Sequence, residues 1–422
     1  MVALGGFCPM GQGDYSRQHP YLNHPQVDKP IEEIYGDLDS FSYEITDREP
    51  HRFDTVSFYT ILPPVFYAGR FVKGFYYSES VDLLNHVLPP LSRHFFSLAY
   101  SMWCSYPGSK TADAYSCLYN NPQRAIWFRE NNRDRADKVL MTCYNSDFIN
   151  EYIMAPQPVD KKDIDLICVS RVSREKNLPV IAKALKIYRQ KYQKKIKLTL
   201  ITASTLDVNN LEYAAPEVWE IWHEIRSILT DPSDYIDVIY SAEHYQEMPR
   251  YYSRSRAYVL GSLLEGKNRS LSEAMSCNIP VICFEEFNQY ARGGDRIFPD
   301  GSGLCSPFDP ESLADTIHKV LENPQHFKPR LNYLKYRGRK NFFNTCLKAF
   351  PYYEESIPDY QSSAPFNNLW LDLAIQDNYQ MSLYDFLYGR SQYSHIRGLT
   401  NIYQTLNRWL RWLQDRIESH QF

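Results

Sequence analysis

The chain has 422 residues, 44% hydrophobic and 23% charged, enough to bury a large core in about two to three domains. With 46 Lys+Arg against 50 Asp+Glu the formal net charge is −4, which argues against a protein built mainly to neutralise nucleic-acid phosphates. The 34 Tyr, 22 Phe and 7 Trp, beside only 17 Gly, exclude a disordered or collagen-like chain and favour aromatic core filling over a sugar- or partner-binding surface.

The nine cysteines (Cys8, Cys104, Cys117, Cys143, Cys168, Cys277, Cys283, Cys305 and Cys346) fit no common zinc spacing and read as buried thiols in a reducing cytosol. The opening MVALGGFCPM lacks the basic and apolar segments of a secretion signal. No stretch approaches 18 consecutive apolar residues. A soluble cytoplasmic enzyme is expected.

In chain order, Thr55–Leu62 and Phe71–Tyr77 read as strands, His94–Cys104 as a helix, and Ala136–Tyr144 as a helix end followed by a strand. They suggest a smaller α/β domain over residues 1–157, ending in the Pro- and charge-bearing linker Met154–Lys162. From there strand and helix alternate. Strands are expected at Asp163–Ser170, Ile196–Thr202, Tyr235–Tyr240, Ala257–Leu260 and Pro280–Phe284. Between them come an amphipathic helix with Leu178, Ile181, Leu185, Tyr188 and Tyr192 on one face, a Trp-bearing helix at Val218–Leu229, and short helices at Met248–Ser255 and Ser270–Ser276. Asp300–Leu304 reads as a Gly-bearing turn, and a last helix is capped by Asp309 and ended by Asn323-Pro324. The alternation predicts a doubly wound parallel sheet over 158–330.

Residues 331–422 read as a mainly helical tail with a loop at Ile357–Asn368 and a helix near Ile402–Glu418. Ile402, Leu406, Trp409, Leu410, Leu413 and Ile417 form an apolar stripe beside Arg408, Arg411 and Arg416. Docking onto the protein's own domains is the favoured reading. Peripheral membrane contact is the alternative.

Three features of the second domain point to one kind of ligand. Arg171 and Lys176 lie in the turn leaving the first strand, where a doubly wound sheet binds ligands and a helix N-terminus favours an anion; two cations there suit a diphosphate without a metal. Glu265 and Glu273 lie eight apart around the exit of the fourth strand, placed to face one crevice and accept paired hydroxyl bonds from a ribose or hexose. The amides of Gly266 to Arg269 turn towards whatever lies between them. The third, Asp300-Gly301-Ser302-Gly303, is weak alone.

Val169-Ser170-Arg171, Glu175-Lys176-Asn177, Glu265-x7-Glu273-Ala274-Met275, Cys277 to Ile282, Asp300 to Gly303 and Asp309-Pro310-Glu311, in this order, resemble the C-terminal domain of GT-B glycosyltransferases. The similarity is to family four, retaining nucleotide-sugar enzymes with a Glu-x7-Glu motif. Ala136 to Val139 and Tyr144 to Ser146 resemble the end of that family's first domain. The resemblance implies two Rossmann-like domains facing a cleft, and transfer of a glycosyl group with retention, without a metal or other cofactor, from a UDP- or GDP-sugar. It also implies that Arg171 and Lys176 grip the donor diphosphate, that Glu265 contacts the hexose near the reacting centre, and that Glu273 holds the ribose. Gly266, Lys267, Asn268, Arg269 and Ser270 would line the donor, and Ser241 and His244, in SAEHY, would flank the base. The acceptor is a sugar, a lipid-linked group or a protein; no nucleic-acid partner is expected.

This chain departs from the pattern in several places. Ser170 stands where Gly usually precedes the Arg, and Thr202-Ala203-Ser204 lacks a Gly-rich turn. Gly-Lys-Asn-Arg follows Glu265 instead of Gly-Phe-Gly, and only Gly5-Gly6 echoes the N-terminal Gly-Gly loop. Lys267 and Arg269 suit an acidic sugar or a phosphate, but solvated side chains are favoured. His86 and His94, and Ser78-Glu79-Ser80, are weak candidates on the first domain. The alternatives are a non-catalytic nucleotide-sugar-binding or scaffold protein and a nucleotide-sugar 2-epimerase; the Glu-x7-Glu motif argues against the latter.

Overall fold

The computed structural model describes residues 57–62, 65–67, 70–78, 81, 85, 92, 95–99, 111–117, 126, 130, 138–142, 147, 149, 151, 154–202, 214–240, 242, 246–265, 267–289, 295–357 and 381–382. The chain divides into two compact units. One is chiefly Thr142–Phe342; the other joins Gln12–Cys117 and Trp127–Met141 to Phe343–Phe422.

The second of these holds β1 (Ser57–Leu62), β2 (Val65–Tyr67), β3 (Arg70–Val72), β4 (Gly74–Ser78), β5 (Phe95–Ala99), β6 (Ala114–Cys117) and β7 (Val139–Thr142). Its main sheet runs β14-β1-β4-β5-β6-β7, where β14 is Met381–Ser382, with β4, β5 and β6 parallel and β1 antiparallel to its neighbours. Two expectations fail here. The single strand at Phe71–Tyr77 is broken at Lys73, whose N–H donates to the Tyr352 hydroxyl at 3.1 Å. As a result β3 pairs with β2 in a separate hairpin while β4 enters the main sheet. The helix expected at His94–Cys104 is instead strand β5, with Phe95, Leu98 and Ala99 buried. A strand covered on both faces shows no polar alternation, so its apolar run cannot be told from helix by periodicity.

The other unit alternates β8 (Ile164–Val169), α1 (Leu178–Tyr192), β9 (Leu198–Thr202), α2 (Pro216–Ile228), β10 (Ile236–Tyr240), α3 (Met248–Arg254), β11 (Ser255–Val259), α4 (Arg269–Ser276), β12 (Val281–Phe284), β13 (Gly303–Ser306), α5 (Pro310–Glu322) and α6 (Pro329–Tyr336). Its six strands are all parallel in the order β10-β9-β8-β11-β12-β13. This is an α/β, Rossmann-like unit. Strand residues alternate between two cores: Leu166, Cys168, Ala257, Val259 and Ile282 pack with α1, α2 and α5. Ile167, Tyr258, Leu260 and Val281 pack with α3 and α4. The predicted stripe of α1 is the buried one, and the Asp309 carboxylate caps α5 through the Ser312 N–H at 2.7 Å.

The sequence reading missed β13, taking Asp300–Leu304 as a turn. Gly301, at φ 72, turns the chain, and Gly303 then enters the sheet edge so tightly that a Cβ would stand 1.8 Å from the Val281 carbonyl oxygen. After α6 the helix α7 (Arg339–Ala349) carries the chain from one unit to the other, and α8 (Pro351–Ser356) follows. There Phe350 stacks on Phe96 at 4.4 Å between ring centroids, and the Tyr353 hydroxyl donates to the Gly74 carbonyl at 3.1 Å. Among the described residues no helix is long and apolar enough to cross a membrane.

Gly303→Ala is expected to lower the unfolding free energy by about 2 kcal/mol or more, because the clash is with backbone that cannot step aside. Urea denaturation measures it.

Candidate active site

In the six-stranded sheet β8 lies between β9 and β11, so the strand order reverses between β8 and β11. Chain segments diverge there, and the gap outside the carboxyl ends of these two strands is where such sheets receive ligands. Arg171 and Lys176 sit on the loop after β8, and Glu265, Lys267 and Asn268 on the loop after β11, at that gap.

The loop after β8 closes as a short turn over Arg174–Lys176, and Asn177 then takes a left-handed conformation at φ 48 to start α1. Its side-chain Nδ2 donates to the carbonyl of Gly261, beyond β11, at 2.9 Å. Gly261 is required at this spot because a Cβ would lie 2.2 Å from the Lys176 carbonyl oxygen. This backbone contact brings the largely buried Lys176 ammonium within 2.7 Å of Glu265 Oε1. Ser262 Oγ also donates to Oε1, Asn268 Nδ2 donates to Oε2 at 2.7 Å, and the Glu265 N–H donates to Asn288 Oδ1 at 2.8 Å. The carboxylate is held by a cation and two neutral donors, as its burial demands.

Arg171 does not join this cluster. Its side chain is 52% exposed and its Nη2 lies 3.3 Å from Glu175 Oε1, which leaves it free to turn towards an anion. Glu273 lies apart from Glu265, inside α4, with its side chain only 4% exposed. Tyr252 donates its hydroxyl to Glu273 Oε2 at 3.0 Å, and Arg269 Nε donates to Oε1 at 3.0 Å. Burial first, and the neighbouring Glu273 charge second, hold the Tyr252 phenol well above the usual tyrosine range, so it stays a donor. Ser270 joins the strand ends: its Oγ lies 2.7 Å from the Tyr258 hydroxyl, 2.8 Å from Asn268 Oδ1 and 3.2 Å from the Val169 carbonyl, and its one proton serves one of these at a time. Beneath the site Cys168 is buried, which pushes its thiol up to about 11 and keeps it protonated.

The expectation of solvated side chains at Lys267 and Arg269 is overturned. Lys267 is 11% exposed and its Nζ lies 3.1 Å from Asp147 Oδ2, itself 11% exposed; Arg269 is turned onto Glu273. Asp147 lies 120 residues upstream, so only the folded chain could reveal the pair. Sequence reasoning also missed Ser262 and Asn288, which carry no motif; Asn288 has a positive φ of 51, a conformation that asparagine tolerates better than most. Ser78 is buried in β4, in the other unit. Ser241, His244, Gly266, Glu79, Ser80, His86, His94, Gly5-Gly6 and the helix near Ile402–Glu418 lie outside the described residues.

Removing one partner of a buried ion pair costs more than removing one partner of an exposed pair. Lys267→Met is expected to cost about 2 kcal/mol of stability by leaving the Asp147 charge without its ammonium. Arg174→Ala, which loses only the exposed pair with Glu220, is expected to change stability by less than about 0.5 kcal/mol in the same denaturation assay.

Residues 150–341 match the family model described as glycosyl transferases group 1, and this segment contains the whole cluster around Glu265. No curated protein matches the sequence significantly. Among solved structures, a Staphylococcus aureus TarM variant in complex with Fondaparinux, alpha-GlcNAc-glycerol and UDP is 12% identical, with a TM-score of 0.43 over 61% of this chain and 51% of that one. Sucrose-phosphate synthase from Thermosynechococcus elongatus is 18% identical, TM-score 0.39, over 66% of this chain and 69% of that one. The pneumococcal O-GlcNAc transferase GtfA, solved with UDP and GlcNAc, is 14% identical, TM-score 0.38, over 67% and 54%. The chain therefore spans about half the length of two of these proteins.

Proposed function

We infer that this chain is a glycosyltransferase that moves a sugar from a UDP- or GDP-sugar to a sugar, lipid-linked or protein acceptor, with retention of anomeric configuration and without a metal. The observation that carries the reading is the Lys176–Glu265 pair at the point where the strand order reverses, inside the segment that matches the transferase family model. A diphosphate arriving there would meet the N-terminal end of α1, a 15-residue helix, with Lys176 just before it and Arg171 able to turn in.

The chemistry follows from charge. When the bond between the sugar and the diphosphate breaks, negative charge grows on the leaving oxygen. Two cations gathered at that point once the donor is bound would stabilise it, the task a divalent ion performs elsewhere. Without ligand, Glu265 occupies the Lys176 ammonium. The donor would draw the ammonium towards its phosphates, leaving Glu265 held by Ser262 and Asn268 beside the hexose. Glu273 would take the ribose hydroxyls once Arg269, 32% exposed, swings aside. Ser241 and His244 would flank the base. Closing water out of the site would limit donor hydrolysis. A cytoplasmic location belongs to the same reading.

Thermal-shift screening against UDP, GDP, ADP and their sugars is expected to single out one nucleotide, since binding stabilises by mass action. Lys176→Ala should then weaken that nucleoside diphosphate at least ten-fold by calorimetry, about 1.4 kcal/mol; an unchanged affinity would sink the diphosphate assignment. Glu265→Ala is expected to abolish slow donor hydrolysis while keeping nucleotide binding, and a chelator to leave wild-type hydrolysis intact. Binding without turnover on any donor or acceptor would point to a binding protein instead.

A further inference from the structure

The loop after Glu265 carries Asn268 where the resembled pattern has glycine. Asn268 is the N-cap of α4, and its side-chain amide works at both ends. The oxygen Oδ1 accepts from the Leu271 N–H at 2.8 Å and lies 2.8 Å from the Ser270 hydroxyl, while Nδ2 donates to Glu265 Oε2 at 2.7 Å. With the Leu271 N–H pointing at Oδ1, a flipped amide would set its NH2 against that N–H. The Nδ2 end is thereby committed to Glu265.

The terminal torsion of a glutamate is soft, so a carboxylate bonded at one oxygen still turns about that bond. Lys176 and Ser262 both take Oε1, and Asn268 holds the other oxygen. We propose that Asn268 is a positioning residue for Glu265: the amide that caps α4 also fixes the plane of the carboxylate, so that Oε1 keeps its direction when the donor draws Lys176 away. A glycine at this place offers the carboxylate no such donor. The proposal rests on Glu265 facing the donor hexose.

Two variants separate positioning from capping. Asn268→Ser keeps a good N-cap but is too short to reach Glu265. Asn268→Asp keeps an acceptor for Leu271 and sets an oxygen, in place of the NH2, against Glu265 Oε2. Asn268→Ser is expected to melt within about 2 °C of wild type, as the cap is retained; Asn268→Asp keeps the cap but sets like charges together, melts lower, and is assayed well below its own midpoint. In donor hydrolysis, with UDP-glucose, GDP-mannose and ADP-glucose as probes, both are expected to lose about ten-fold or more in kcat, with KM changed less than about three-fold. Wild-type kcat in both variants would overturn the proposal. If wild type hydrolyses none of these donors, the transferase reading is what fails. Crystal structures of wild type and Asn268→Ser then decide the positioning: a Glu265 carboxylate displaced by about 1 Å or more upholds it, and an unmoved one overturns it.

Discussion

At Gly261 the chain leaving β11 runs so close to Lys176 that an added Cβ would stand 2.2 Å from its carbonyl oxygen. The rest of the site depends on this approach. It lets the Asn177 side chain span the two loops, and it sets a lysine from one strand end against a glutamate from the next. The parallel sheet brings β8 and β11 together, but only the absence of a side chain at one position brings their loops into contact. Charge then completes what backbone shape begins: a largely buried ammonium and a largely buried carboxylate tolerate dehydration only together.

The loop between Glu265 and α4 is tethered on several sides by contacts of different kinds. Asn288 accepts from its first N–H, Asn268 links its carboxylate to the helix start, and Asp147 takes the Lys267 ammonium. Each cation of the loop and its surroundings already faces an anion: Lys176 faces Glu265, Lys267 faces Asp147, and Arg269 faces Glu273. An anionic ligand bound there would enter by exchange, replacing carboxylates as partners of existing cations. For Lys176 and Lys267 such exchange would cost the cation little further desolvation, because both are already largely buried. Arg171, still largely in solvent, stands as the group able to make first contact.

The C-terminal sheet was readable because its short β-rich apolar runs alternate regularly with helices that carry one apolar stripe, so strand and helix signals take turns along the chain. The Arg171, Lys176 and Glu265 placements followed from spacing alone, since each sits within a few residues of a strand end. Spacing failed where a contact is made across the chain. The Lys267–Asp147 pair, Ser262 on Glu265, and the Lys73–Tyr352 bond that splits β3 from β4 leave no local trace. Helix was expected at β5 because Phe95 to Ala99 is apolar without alternation, and aromatic cover arrives from residues 250 positions later, at Phe350 and beyond. Some of the aromatic excess is explained there. Phe75, Phe96, Phe350, Tyr352 and Tyr353 form one packed group, core and not binding surface.

That group has a consequence for the order of assembly. The unit built on Thr142–Phe342 takes nearly all its residues from one continuous stretch, so a ribosome delivers it almost whole. The sheet that begins near the N-terminus receives Phe350 and Tyr353 only after that stretch has been made. Phe75 and Phe96 are therefore translated early and covered late. Vectorial synthesis here reverses the usual sequence, in which the first-made domain matures first. The nascent chain must keep an aromatic strand pair from wandering for the time it takes to build an entire second domain.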